Sequence, residues 1–373
     1  MSAPAPAFGT FFLPGPTEVR PEVLAAMTRP MIAHRGQAFE ALYSRIDAAM
    51  RPVFRTERPV FVSSSSATGF MEAAVRAAPA GRLLSIVNGA FAERFADVAR
   101  ACGRDVDTID VEWGAIADLA EVDRRLAAGR YAAVTVVHSE TSTGALTDVR
   151  AVRDLAHGHG ALCLVDTVTG LAGAPFDFDA WELDFAFTGS QKALAMPPGL
   201  AFAVASERFM KTAAAQPGRG RYFDLVEFEA YARKHQTPNT PALSLFYAAA
   251  AQLERLGAEG MEARLARHRA MAERTYRWVE ETAARLGAAM RVLAPAGSRS
   301  PTVTAVVLPA GLTGPDVARA VAERGYVIGA GYGRLRERTI RIGHMGEHTL
   351  EGLEGCLGVV AEVLADVREL QSP

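Results

Sequence analysis

The sequence predicts an α/β fold in two parts: a large domain with a mainly parallel central sheet sandwiched by helices, then a smaller α+β domain at the C-terminus. Three observations predict it. Between about residues 60 and 205, short apolar runs alternate with amphipathic ones, the rhythm of strands joined by crossover helices. Several of the apolar runs are uninterrupted, as strands covered on both faces require. After a long helical stretch from Leu243 to about Leu286, the pattern becomes a short mixture of strands and helices.

Residues 1–16 read as an N-terminal arm, with the Ala/Pro-rich Ser2 to Ala7 a flexible tail. Val60 to Val62 reads as a strand, followed by a hydroxyl-rich turn and a helical Phe70 to Ala78. Leu83 to Val87, Val106 to Ile109, Ala132 to Val137, Ala161 to Val165, Phe185 to Phe187 and Leu200 to Val204 read as further strands. Between them, Phe91 to Ala101, Leu119 to Ala128 and Val149 to His157 fit helices. Gly257 and Gly260 break the Leu243 to Leu286 helix, which divides the chain into a large domain of residues 17–257 and a small one of 258–373. In the small domain, Thr302 to Leu308 and Thr339 to Ile342 read as strands, and Asp316 to Arg324 and Leu350 to Leu370 as helices.

The 373 residues, 49% hydrophobic and 22% charged, have the balance of a soluble globular protein. A formal charge of −2 supplies no field for nucleic acid or an anionic membrane. Cys102, Cys163 and Cys356 lack metal-binding spacing, so no metal is expected. Scattered thiols fit a reducing compartment. With no leader-like start and no apolar stretch approaching ~18 residues, a cytoplasmic location is expected.

Lys192 lies in the run Thr188 to Gly199 among small and apolar residues, and Asp166 ends an apolar strand 26 positions earlier. A lysine amine forms a Schiff base with an aldehyde, and a carboxylate holds a pyridinium nitrogen protonated; pyridoxal phosphate (PLP) chemistry needs both. Ser63 to Gly69 places hydroxyls where a helix begins. Read alone, this turn serves equally as a helix cap or as a phosphate site. Arg341 is a lone arginine in the apolar run Thr339 to Gly343 and needs an anionic partner, either a substrate carboxylate or a structural salt bridge.

Leu13-Pro14-Gly15-Pro16-Thr17, Ser66 to Glu72, His138 to Gly144, Leu164-Val165-Asp166, Gly189-Ser190-Gln191-Lys192, Ser300 to Thr304 and Arg341 to Gly346 follow one another along the chain. Together they resemble the class V aminotransferases of PLP fold type I, in particular the branch acting on small amino acids with pyruvate or glyoxylate. The resemblance implies a homodimer using PLP to move an amino group from an amino acid such as alanine or serine to a 2-keto acid. It makes Lys192 the catalytic base and cofactor anchor, with Asp166 at the ring nitrogen. Ser66, Ala67, Thr68 and Gln191 join the cofactor-binding residues, Phe91 and Val168 press the two ring faces, and Thr141 lies near both cofactor and substrate. Arg341 takes the substrate carboxylate. Thr237, Asn239 and Thr240 resemble a segment that reaches the partner's phosphate; a proline-braced turn explains them equally. The sequence departs from its relatives at Ser65 and Ala67, where glycine is common, and at Phe70, where a smaller residue is. His138 and Glu140 receive no proton-transfer role. A lyase or desulfurase of the same fold would need a cysteine on a mobile loop, and the three cysteines fall in apparent helix or strand. A donor such as aspartate or phosphoserine would need a second cation, for which Arg35, Arg219, Arg221 and Arg334 are the candidates.

Overall fold

A computed structural model of the chain describes residues 7–369. A seven-stranded sheet orders its strands 61–63, 201–205, 185–189, 162–166, 131–137, 82–87 and 106–110. Ala201–Ala205 runs antiparallel to both its neighbours, and the strands from 185–189 through to 106–110 pair in parallel. Leu162–Asp166, Phe185–Gly189 and Ala201–Ala205 are buried along their whole length, which is why they read as unbroken apolar runs. The crossover helices include Ala67–Ala77, Ala90–Ala101, Leu119–Ala128 and Val149–Gly158. Asp118 caps the third of these by accepting from Ala120 N at 3.0 Å.

A second sheet of five strands, in the order 11–12, 327–330, 339–343, 303–307 and 291–292, has its own apolar core with the helices Met261–Leu286, Gly314–Glu323 and Leu350–Glu369. Phe11–Phe12, inside the expected arm, adds a parallel edge strand to it. The expected tail Ser2 to Ala7 falls outside the described residues as far as residue 6, as does Leu370 at the end of the last helix. Gly260, at φ +79°, separates the helices Leu243–Glu259 and Met261–Leu286. Gly257, expected to break the helix, sits inside it, exposed and with open space around its Cα. A helical glycine costs only about 1 kcal/mol, which the packing of the rest of the helix offsets.

Candidate active site

The carboxyl ends of the parallel strands open into a cavity of about 390 Å³ lined by Lys192, Asp166, Phe91 and Ser66 to Thr68. Clefts outside the carboxyl ends are where open α/β sheets bind ligands. Lys192 follows the Phe185–Gly189 strand on a loop whose carbonyls are held one after another. Thr17 N donates to Gln191 O at 2.9 Å, Thr17 Oγ1 to Lys192 O at 3.0 Å, and Arg264 Nη2 to Ala193 O at 2.5 Å. Arg264 is fully buried and also reaches Glu259 and Glu347. The Lys192 amine donates to Pro14 O. Burial, aided by the Arg341 charge, brings its pKa down to about 8.

Asp166 ends its strand beside Val137 and Phe187, and one of its oxygens accepts from Val168 N at 2.9 Å. It is 4% exposed, and burial raises its pKa to about 7. Val168 lines the same cavity. Phe91 enters it from the first turn of the Ala90–Ala101 helix. That turn is fixed by Glu140, whose Oε2 accepts from Phe91 N at 3.1 Å and Ala92 N at 3.0 Å. Its Oε1 accepts from Ser142 N and Ser142 Oγ. Glu140 is thus a helix cap that orients the aromatic ring. His138 is buried against Phe176 and Trp181, with Nδ1 at 3.1 Å from Thr167 Oγ1. Neither residue lines the cavity.

Ser66 is the residue before the Ala67–Ala77 helix, and no side chain caps that end. Residues 66–68 line the cavity, so an uncapped helix end borders it, an arrangement suited to an anion. Phe70 points away into the core, edge-on to Phe185 and Phe228. Its bulk does not narrow the pocket.

Arg341 comes from the second sheet, paired with Ala305 and Gly329. Its Nε donates to Ala330 O at 3.0 Å and its Nη1 to Thr141 O at 3.2 Å. It is 9% exposed, and its pKa is pushed down to about 10 by burial. Among the described residues no carboxylate forms an ion pair with it, so the alternative of a structural salt bridge is not what holds it. Thr141 Oγ1 meets Thr169 Oγ1 at 2.5 Å.

Residues 11–334 match the family defined as aminotransferase class-V. The chain belongs to the class V aminotransferases. An uncharacterized aminotransferase of Methanocaldococcus jannaschii is 36% identical over 90% of this chain and 87% of its own. The serine–glyoxylate aminotransferase of Arabidopsis thaliana is 31% identical over 95% of this chain and 90% of its own. Among solved structures, alanine–glyoxylate aminotransferase from Nostoc sp. superposes with a TM-score of 0.90 at 31% identity, covering 98% of this chain and 96% of that one. The protein is a PLP-dependent transaminase of fold type I. The cavity fits that cofactor: an amine with a lowered pKa, a buried carboxylate, an aromatic face and an uncapped helix end converge on it.

Not every expected residue of the aminotransferase gathers there: Arg341 and Thr141 do not line the cavity, although Arg341 packs against Tyr332, which does. Thr237, Asn239 and Thr240 line a separate cleft with Ser63, Ser64 and Tyr222. Thr237 Oγ1 donates to Asn239 O at 2.7 Å, and Ser64 Oγ accepts from Ala242 N at 2.8 Å. Gln191 lines the cavity, and its side-chain oxygen is buried without a hydrogen-bond partner. Of the candidate second cations, Arg35 is bonded to Thr237 O and Pro238 O, Arg219 to Asp224, Arg221 is paired with Glu227, and Arg334 lies over Trp113. Sequence reasoning missed Arg94 and Tyr332, which do line the cavity. Arg94 stands three residues after Phe91, on the same helix face, and that spacing was the available signal. Tyr332 had none, since it arrives from the second sheet.

Proposed function

We propose that this aminotransferase moves an amino group from a small amino acid such as alanine or serine to a 2-keto acid such as glyoxylate or pyruvate. The observation that carries the reading is the convergence on one cavity of the Lys192 amine, Asp166, Phe91 and the uncapped helix end at Ser66. In this reading Ser66, Ala67 and Thr68 would hold the cofactor phosphate, Gln191 would be a further cofactor contact, Phe91 and Val168 would press the ring, and Asp166 would pair with its nitrogen. Bound PLP supplies the electron sink that weakens the Cα–H bond of the amino acid. Lys192 Nζ, with its pKa near 8, takes the proton from Cα and returns it on the way to product. Arg341 has two of its N–H groups tied to carbonyls. That fixes the guanidinium plane and leaves the other N–H groups for the α-carboxylate. Thr141 supports Arg341 through its carbonyl and adds a hydroxyl nearby.

The reading includes a cytoplasmic homodimer in which Thr237, Asn239 and Thr240 of one copy approach the other's phosphate. Their placement in a cleft apart from their own Lys192 supports it. Three free cysteines fit a reducing compartment, and no helix among the described residues is long and apolar enough to cross a membrane. The division into an arm of residues 1–16 and domains 17–257 and 258–373 belongs to the same proposal; two apolar clusters support two domains, although Phe12 of the arm lies in the second cluster and Val303 and Met345 in the first. The desulfurase alternative fares poorly, because Cys163 and Cys356 are buried and Cys102 lines a different cleft. The test is a half-reaction screen, in which single amino acids are mixed with the PLP form and loss of its visible band is followed. Alanine and serine are expected to react. If no amino acid bleached the band, the reading would fail.

A further inference from the structure

Arg264 holds more than the lysine loop. Its side chain is wholly shielded from solvent, with Nη2 donating to Ala193 O at 2.5 Å and Nη1 to Glu259 Oε2 at 2.6 Å and Glu347 Oε1 at 3.1 Å. Ala193 follows Lys192, on the loop after a strand of the seven-stranded sheet. Glu347 stands four residues beyond Gly343, the end of the strand that carries Arg341 in the five-stranded sheet. One guanidinium therefore ties the loop of the amine to the loop of the carboxylate-binding arginine.

Glu347 gathers in a third segment. Its Oε1 also accepts from Gln252 Nε2 at 2.9 Å, and its Oε2 accepts from Arg20 Nε at 2.7 Å. Burial alone would raise its pKa, but the Arg264 charge and these bonds hold it down to about 2, so it stays a carboxylate near neutral pH. Arg20 continues the segment in which Pro14 O accepts from the Lys192 amine and Thr17 holds the carbonyls of Gln191 and Lys192. That segment lies directly against the Arg341 strand, since a Cβ on Gly343 would stand 2.5 Å from Leu13 O. Gly346 brings the two loops together as well, for a Cβ on it would meet Ala195 Cβ at 3.2 Å. A buried ion pair is a weak source of stability, because desolvation offsets most of its Coulomb gain. What it supplies is direction, since a guanidinium fork bonds its partners in few geometries.

Resting on the reading of Lys192 as proton carrier and Arg341 as carboxylate anchor, we propose that Arg264 and Glu347 are positioning residues: the pair sets the separation between amine and guanidinium, so that a substrate held at Arg341 presents its Cα proton to Lys192. Neither residue lines the cavity. Both act through the loops they join.

The test is transamination by the PLP-loaded enzyme with kcat and KM separated, alanine being compared with alanine deuterated at Cα. Arg264→Lys retains the charge without the two-armed reach, and Glu347→Gln retains the shape without the charge. In each, kcat is expected to fall by about ten- to a hundred-fold, the cost of misplacing a reacting group by about 1 Å. KM should change by less than about three-fold, because Arg341 still binds the substrate. The isotope effect on kcat should rise as proton transfer becomes the slow step. The double variant should be no slower than the slower single one, because the two residues act as a unit. Arg267→Met is the control. Arg267 bonds Glu259, Gly346 O and His348 O from the same helix without touching the lysine loop. Its loss should lower the melting temperature and leave kcat and the isotope effect alone. Glu347→Gln decides the matter if Arg264→Lys does not fold. Wild-type kcat in the folded variants, an unmoved isotope effect, additive losses, or an Arg267→Met enzyme equally slow overturns the proposal. If the wild type reacts with neither alanine nor serine, the substrate reading fails by itself. The pair is then judged by how fast added PLP develops its visible band on the cofactor-free enzyme, which needs the amine but no donor. Slower development in both variants upholds the pair, and an unchanged rate overturns it.

Discussion

Gly15→Ala should disable the lysine without touching it chemically. Gly15 has φ +112°, and a Cβ built there would stand 2.3 Å from Lys192 Nζ and 2.7 Å from Cδ and Cε. Two costs follow. The first is backbone strain, about 1–3 kcal/mol for a side chain in this region of φ, which lowers the melting temperature by a few degrees. The second is displacement. The amine must retreat by about 1 Å to regain ordinary contact, and a misplacement of that order in a reacting group costs on the order of a hundred-fold in rate. Gly9→Ala separates the two. Gly9 has φ +95° in the same segment, yet a Cβ there meets nothing within 4 Å. It should show the strain and keep the turnover. The assay is kcat for transamination beside thermal melting of both variants. Gly15→Ala with kcat within three-fold of wild type would refute the reasoning, as would a Gly9→Ala enzyme equally slow.

Borohydride reduction of the PLP form should fix the pyridoxyl group on the peptide carrying Lys192, and Lys192→Ala should lose both the label and turnover; label on Lys211 or Lys234 would contradict the assignment. Arg341→Lys keeps the charge but not the fork, so kcat/KM for all donors should fall by about ten- to a hundred-fold per bond lost, with PLP affinity little changed. The cofactor-free protein should lose stability as pH falls from 6.5 towards 4. Burial holds His138 and His348 down to about 4, His344 to about 3 and His268 well below its ordinary value. The unfolded chain therefore binds more protons in that window, at about 1.4 kcal/mol per pH unit for each such group. Asp166, raised to about 7, opposes one of them, and a melting temperature that rose on acidification would contradict the sign. Light scattering with activity measured on dilution should find a dimer, and a fully active monomer would exclude shared sites.

Much of the site was legible because its polar residues violate their local surroundings. Lys192 and Asp166 interrupt apolar or small-residue runs at strand ends, and Arg341 stands alone in an apolar strand. Such residues are expensive to bury without a use. What escaped is what several distant segments assemble. Gly15, Arg94, Lys192 and Tyr332 come from four parts of the chain, and no spacing along it brings Tyr332 onto Phe91. Glu140 was set aside as a catalyst, but its work as a cap for the Phe91 turn needs the fold to be seen. The edge strand Phe11–Phe12 is too short to show a period of two. The helix Gln37–Phe54, which carries Pro52, went unread although its buried face runs from Phe39 to Phe54.

The two shifted groups at the centre have one dominant cause. A carboxyl and an amine whose ordinary values lie about six units apart come within about one unit here, Asp166 near 7 and Lys192 near 8. Burial drives both toward neutrality, because loss of solvation penalises each charge. A positive ring nitrogen against Asp166 would favour its carboxylate, and an anionic substrate on Arg341 would weaken the charge that depresses Lys192. Those partners would push the two values apart again. That separation is the condition under which one group holds a charge while the other moves a proton. The site is thus built to assign its acid and base roles when it is filled, and the carbonyl clamps from Thr17 and Arg264 keep the amine in place meanwhile.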